Sequence, residues 1–331
     1  MSSKDSKKKR AALLSIISNS SLVIAKLVIG FSTGAVSIIS EAIHSAVDLV
    51  ASVIAYFAVR ASGKPADKDH PFGHGKYENL SGAIEALLIF VAAFWIMKEA
   101  LHKLQNPQHL EVLGPGIIVM AVSAIANILV SRYLFKVGKE TDSMALEADA
   151  WHLMTDVYTS FGVMAALAFM WIGHHLRPDL PWEFVDPIAA LFVSALILKA
   201  AWDLTKQAIS VLLDEKLPDD EEHLIRQHIT EYAPTVRGYH RLRTRKSGGH
   251  RLVEFHMLVD GTMSVMQSHL ISDKLINSIH EHYPDTTVTI HIEPCDDRCD
   301  DDCAGDGCML SDISRNGVKE HIQKSTRPQS L

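Results

Sequence analysis

Residues 40–52 read SEAIHSAVDLVAS, which places Glu41, His44 and Asp48 inside a segment otherwise apolar enough to cross a membrane. Residues 147–160, EADAWHLMTDVYTS, repeat the unit, with His152 followed four residues later by Asp156. Side chains four apart on a helix stand on one face, so each segment offers an imidazole and a carboxylate as a two-ligand edge. An ionisable group at a bilayer centre costs about 2.5–3.5 kcal/mol on insertion scales, so such groups face a bundle interior and mark an ion path. Two such edges together supply two imidazoles and two carboxylates, which suits tetrahedral Zn²⁺. Four carboxylates would favour harder ions such as Mn²⁺ or Mg²⁺. One His-x-x-x-Asp alone reads equally well as a packed histidine bonded to a hydroxyl or a carbonyl, but two copies in two apolar segments weigh against that. Glu41 and Asp149, near helix ends, fit a solvated or gating role as well as ligation.

Working outward, six segments approach the roughly 20 apolar residues that a spanning helix needs: 11–33, 36–60, 78–102, 113–136, 143–173 and 184–209. The mean hydropathy of +0.10 is modest for a membrane protein, because the apolar residues crowd into the first two thirds of the 331-residue chain and charge fills the last. Lys and Arg set orientation. Lys4, Lys7, Lys8, Lys9 and Arg10 precede the first helix, Arg60, Lys64, Lys68 and Lys76 follow the second, and Arg132, Lys136 and Lys139 follow the fourth. The opposite loops hold Lys103 and Arg177 only near their edges, so both termini are expected in the cytoplasm. The basic run 4–10 reads as a cytoplasmic anchor, and a net charge of −7 with no basic face excludes a nucleic-acid partner. The first apolar run is long enough to span and lacks a small-residue cleavage site, which argues against a secretory signal peptide.

From about 211 the texture changes. PDDEEHLIRQHITEY (218–232) has the apolar spacing of an amphipathic helix, and GYHRLRTRKSGGHRLVEFHMLVD (238–260) reads as two strands around a Ser-Gly-Gly turn. SVMQSHLISDKLINSIHEHY (264–283) is a second helix and TTVTIHIE (286–293) a third strand. The expected fold is a membrane α-helical bundle of six helices plus an α+β domain of ferredoxin-like order, α-β-β-α-β. Its divisions are a cytoplasmic segment 1–10, a transmembrane domain 11–210, a cytoplasmic domain 211–294 and a Cys/Asp-rich tail 295–331. All four cysteines, Cys295, Cys299, Cys303 and Cys308, lie in that tail, so no disulfide framework holds the fold. The tail is expected to lack order unless a metal organises it. Thiolates bind soft or borderline metals, so the tail is a candidate metal-capturing or regulatory element.

Five stretches carry a family resemblance: HSAVD (44–48), PADKDHPFGHGKYE (65–78), EADAWHLMTD (147–156), YHRLRTRKSG (239–248) and TIHIEP (289–294). Together and in this order, over about 10–294, they resemble the cation diffusion facilitators, a family of dimeric Zn²⁺/H⁺ antiporters. The resemblance implies a transport site of His44, Asp48, His152 and Asp156, a cytoplasmic loop site of Asp67, His70 and His74, and a metal cluster of His240, His256, His269, His291 and Glu293 at a homodimer interface. It also implies a charge interlock between Lys76 and Asp203. Some bacterial relatives have Asp where this chain has His44, and the His form resembles the more zinc-selective members. Where the family often has Asp, this chain has Glu293. Independently of the resemblance, His291 and Glu293 sit two apart on a predicted strand and so share a face.

The expected function is divalent metal efflux in exchange for protons, with Zn²⁺ as cargo and as a structural or regulatory ion of the cytoplasmic domain. A ligand must lose its proton to bind metal, so a His/Asp site lets the two exclude each other. The same transport with Fe²⁺, Co²⁺, Cd²⁺ or Mn²⁺ as main cargo, and a membrane-anchored metal sensor, stand as alternatives. An enzyme is not expected, since there is no HExxH and no obvious general base beside an open metal position. The expected location is the inner membrane.

Overall fold

The computed structural model describes residues 3–33, 36–105, 114–176, 182, 184–295 and 309; the side chains at 3, 33, 36–41, 44, 47 and 114–120, and at scattered positions from 163 to 186, lie outside that description. The chain divides into two units, 1–213 and 214–331.

The first unit holds six long helices: α1 (Ser3–Thr33), α2 (Val36–Ser62), α3 (Lys76–Gln105), α4 (Gly114–Thr141), α5 (Met144–Leu176) and α6 (Val185–Leu212). Among the described residues, Lys4–Ser32, Lys76–Gln105, Ala121–Thr141 and Pro187–Leu212 are long and apolar enough to cross a membrane by composition. The two remaining helices are those that carry the His/Asp edges. At 27 and 33 residues, α2 and α5 have ample length for the purpose. The unit is built inside out. Phe31, Phe94, Phe161 and Phe192 stand on its outer surface, whereas the helix contacts are made by small residues such as Ala51, Ala55, Ala86, Ala93, Ala148 and Ala201, all fully buried. Small residues let backbones approach in a medium where apolar burial supplies no drive between helices. At Gly82 a Cβ would stand 2.9 Å from the Cγ of Met144, so the close passage of α3 and the start of α5 requires glycine.

α1 begins at Ser3 rather than at 11, because the basic run continues the helix instead of preceding it. Lys8 is buried, and its Nζ lies 2.9 Å from Oε1 of Glu78 on α3. The same carboxylate, 1% exposed, accepts a 2.6 Å hydrogen bond from Ser62 on α2 and another from Ser143, between α4 and α5. One buried anion therefore joins α1, α2, α3 and the α4–α5 turn.

The second unit runs α7 (Asp219–Thr230), β1 (Gly238–Ser247), β2 (His250–Asp260), α8 (Val265–His282) and β3 (Thr286–Cys295). The sheet order is β1-β2-β3, with β1 antiparallel to β2 and β2 parallel to β3. The first turn of α7 holds Asp219, Asp220, Glu221 and Glu222, where the helix dipole favours negative charge. Ser264 and Gln267 form a capping box that starts α8. Ile225 and Ile229 of α7, Leu275 and Ile279 of α8, and Val253, Phe255 and Met257 of β2 make the core. Strand residues alternate between faces, so the residues between those core positions are presented on the side away from the helices. Met309 also packs against this core, and its N–H donates to the Arg237 carbonyl at 3.0 Å. The rest of the tail, including Cys299, Cys303 and Cys308, lies outside the described residues.

Removing one partner of a buried ion pair strands the other charge, a loss of about 3–5 kcal/mol. Lys8→Ala and Glu78→Ala should each destabilise the detergent-solubilised protein by that order, read as a lower thermal unfolding midpoint. Lys8→Met combined with Glu78→Gln should recover most of it. Single variants that melt like the parent would show that the pair is solvated and does not hold the helices.

Candidate metal sites

The contact between α2 and α5 brings the two sequence edges together. Nε2 of His152 lies 3.2 Å from Oδ1 of Asp48, and both residues are buried. The Nδ1 of His152 is buried with no partner among the described residues. One turn further along α5, Asp156 sits within 3.5 Å of the side-chain amide of Asn127 on α4, which donates to it. Asp48, His152, Thr155 and Asp156 line a cavity of about 340 Å³ whose wall continues along α3 through Trp95 and Glu99 to Lys103. Three of the four expected ligands thus share one cavity; His44 is on α2, its side chain outside the described residues.

The second unit presents three histidines in a row. His240 pairs with His256 across β1 and β2, and His256 with His291 across β2 and β3. Each neighbours a core residue (Tyr239, Phe255 and Met257, Ile290 and Ile292) and so is presented on the opposite face. A bulge in β1 between His240 and Arg243, with Arg241 at φ 53°, breaks the ladder beside the cluster; bulges re-aim side chains in this way. Glu293 bridges the row, with His240 Nε2 at 2.9 Å from one oxygen and His256 Nδ1 at 2.9 Å from the other. His291 Nε2 lies 3.9 Å from Glu293. Burial works against the charge on Glu293, but the hydrogen bonds from His240 and His256 and the attraction of both rings outweigh it and hold the carboxyl below its ordinary range.

Between α2 and α3, the loop gathers Asp67, His70 and His74. His70 Nδ1 and His74 Nε2 stand 3.4 and 3.3 Å from the Asp67 oxygens. Gly73, at φ 81°, turns the chain between the two histidines. The His70 backbone N–H, which donates to Asp67, is the main cause holding that carboxyl low, with smaller help from the Asp69 N–H and the two rings against slight burial. In both places, the ligand atoms of the three residues lie within 4.8 Å of one another, close enough to hold one ion: Asp67, His70 and His74, and His240, His256 and Glu293.

Residues 12–213 match the family model of the cation efflux transmembrane domain, and residues 217–295 match that of the cation efflux protein cytoplasmic domain. The chain belongs to the cation diffusion facilitator family. It is therefore a membrane-embedded cation efflux transporter, and its family is one of transporters rather than enzymes. It is 35% identical over 265 residues to an uncharacterized transporter of Synechocystis sp., covering 80% of this chain and 83% of that protein. It is 34% identical over 287 residues to the cation-efflux pump FieF of Serratia proteamaculans, covering 87% and 93%. Among solved structures, the metal-bound C-terminal domain of the CzcD transporter from Thermotoga maritima is 31% identical, covering 24% of this chain and 96% of that one, with a TM-score of 0.22.

Other family-implied residues of this diffusion facilitator are more scattered. His269 lies on α8, exposed and 3.6 Å from Asp273, apart from the cluster in this single chain. Lys76 opens α3 and donates to the Leu212 carbonyl at 3.4 Å, while Asp203 is exposed on α6. Cys295 ends β3. Sequence reasoning missed the buried polar residues between α1 and its neighbours. Lys26, 3% exposed on α1, donates to Ser45 Oγ at 2.7 Å, next in the chain to His44. Asn19, Ser15 and Ser52 form a hydrogen-bonded knot that ends on Asp149. The available signal was a polar stripe on α1 at Lys8, Ser15, Asn19 and Lys26, whose spacings keep to one helical face.

The lowered Glu293 gives the cytoplasmic domain an acid-side signature. A carboxyl whose folded value lies below its unfolded value adds stability above the unfolded value, and that stability is lost as pH falls through the folded one. In metal-free protein, the stability gap between the parent and Glu293→Gln, read by denaturant unfolding, should be present at neutral pH and close on acidification below about pH 4. A gap independent of pH would show that Glu293 acts by packing and not by charge.

Proposed function

We propose that this transporter exports divalent metal, Zn²⁺ foremost, from the cytoplasm in exchange for protons, through a site of His44, Asp48, His152 and Asp156. The carrying observation is that Asp48, His152 and Asp156 line a single membrane-embedded cavity. Two imidazoles and two carboxylates suit a borderline cation of tetrahedral habit better than a hard oxygen-seeking one. The His152 ring meets the Asp48 carboxylate; metal and proton compete for the same lone pairs, because a ligand binds metal only when deprotonated. Protonation of His152 at Nε2 therefore favours release, and proton loss favours loading.

The basic loops assign the Lys76 end of α3 to the cytoplasm, so the cavity wall at Glu99 and Lys103 belongs to the opposite side. At the cytoplasmic end, the Lys8–Glu78–Ser62–Ser143 cluster closes the bundle. This arrangement is the releasing one, and loading from the cytoplasm requires α1, α2 and α5 to part around Glu78. On this reading the protein spans the inner membrane with both termini in the cytoplasm. The cytoplasmic unit binds metal at His240, His256 and Glu293, with His291 beside them, and joins two copies; metal there favours the dimer and biases transport. His269 serves this interface from its exposed position on α8. Asp67, His70 and His74 form an exposed loop site that holds metal transiently. The cysteine-rich tail from Cys295 is a further metal-capturing element.

Metal uptake into proteoliposomes under an imposed pH gradient tests the reading. Zn²⁺ transport should fall to background in Asp48→Ala, and His44→Asp should keep transport while admitting other divalent ions such as Cd²⁺. Undiminished Zn²⁺ uptake by Asp48→Ala would mean that the paired motifs only hold the helices together.

A further inference from the structure

Beside the metal cavity, the bundle buries two further acids that the transport site does not use. Glu85 on α3 and Asp149 on α5 are both 0% exposed. Oε1 of Glu85 accepts from Ser81 at 3.0 Å, and Oδ1 of Asp149 accepts from Ser52 at 2.9 Å. The other oxygen of each, Glu85 Oε2 and Asp149 Oδ2, is sealed from solvent with no partner among the described residues. A buried carboxylate without a cation at its side is among the most costly groups a fold can contain.

Among the described residues, the groups around Glu85 supply no such cation. From α5 it faces the charge of Asp149. Asp149 in turn faces the His152 ring from its own helix and the Asp48 carboxyl from α2. α6 carries Lys199, Asp203 and Lys206, all exposed. On α3 itself, Glu78 is engaged by Lys8, Ser62 and Ser143, and Lys76 donates to the Leu212 carbonyl. The two acids do not make a metal site by themselves either. Two carboxylate oxygens make half of a tetrahedral shell, and the nearby Ser15, Asn19 and Ser52 groups are already bonded to one another.

We propose that Glu85 is a proton-carrying residue of the transporter, set between the metal site and the cytoplasm and working with Asp149. The inference rests on the antiport reading and adds a second proton station to it. Its position follows from the helices. Asp149 lies one turn on the cytoplasmic side of His152, and Glu78, Ser81 and Glu85 follow one face of α3 inward from the cytoplasmic end. In the exchange, a proton from the external water forms the O–H bond at Glu85 Oε2. That bond breaks when the proton passes on to cytoplasmic water, while the metal leaves in the opposite sense.

The test uses the full-length protein in nanodiscs and the infrared difference spectrum between Zn²⁺-loaded and metal-free states. The parent should show a carbonyl-stretch band of a protonated carboxylic acid that changes on loading. The band should be missing in Glu85→Gln and displaced in frequency in Glu85→Asp, which also serves if the Gln variant does not fold. In proteoliposomes, Glu85→Gln should carry Zn²⁺ at least tenfold more slowly, with a flattened pH profile. A parent without the band, a band unchanged in Glu85→Gln, or Glu85→Gln transport with the parent's rate and pH profile would each overturn the proposal. If the parent itself moved no Zn²⁺ under a pH gradient, the antiport reading would fall, and the infrared assignment of Glu85 would stand or fall separately.

Discussion

The free energy of taking a charge out of water governs this molecule. Each ionisable group inside the membrane unit must be matched by an opposite charge, by hydroxyls, by a metal or by a proton, and the helices are arranged around those matches. Glu78 illustrates the first two. Its single carboxylate receives an ammonium from α1 and hydroxyls from α2 and the α4–α5 turn, so four segments converge because an unmatched anion would cost more than assembling them. Asp48 and His152 show a leaner match: a carboxylate of α2 and an imidazole of α5 meet at 3.2 Å, both buried.

The same constraint divides labour along the bundle. At the Glu78 end of α3 the protein itself supplies the match, through Lys8, Ser62 and Ser143. At the cavity the match is incomplete, since Nδ1 of His152 has no partner among the described residues. Small buried residues bring the helices near enough for these short bonds to form, and bulky apolar side chains meet the surroundings. The cytoplasmic unit solves an easier problem, since water covers one face of its sheet. Apolar residues go toward α7 and α8, and the histidine row is presented on the other side within reach of a bridging glutamate.

Much of this was legible in the sequence, for identifiable reasons. His152 and Asp156 were readable because an i, i+4 spacing dictates a shared face, and His291 with Glu293 because a strand repeats every two residues. The α-β-β-α-β order followed from a turn signal at Ser247-Gly248-Gly249 and from clear changes of period. Lys8 was not legible as a core residue. It stands in a run of five basic residues interrupted only by Asp5 and Ser6, and nothing local distinguishes it from its solvated neighbours; its partner Glu78 is 70 positions away. Lys26, Ser52 and Glu85 were missed for the same reason, since their roles depend on which helix lies opposite. That helices 2 and 5 pack together is likewise not a property of either segment. The resemblance to a family supplied that pairing, which spacing alone could not.

The docking of Met309 moves the boundary of the folded unit past its last strand. Cys295 ends β3, yet Met309 is anchored both by its N–H on the Arg237 carbonyl and by its side chain against the core. A chain cut after Cys295 would hand that carbonyl and that apolar surface back to water, so the core of this unit is completed by a residue that the strand pattern does not reach.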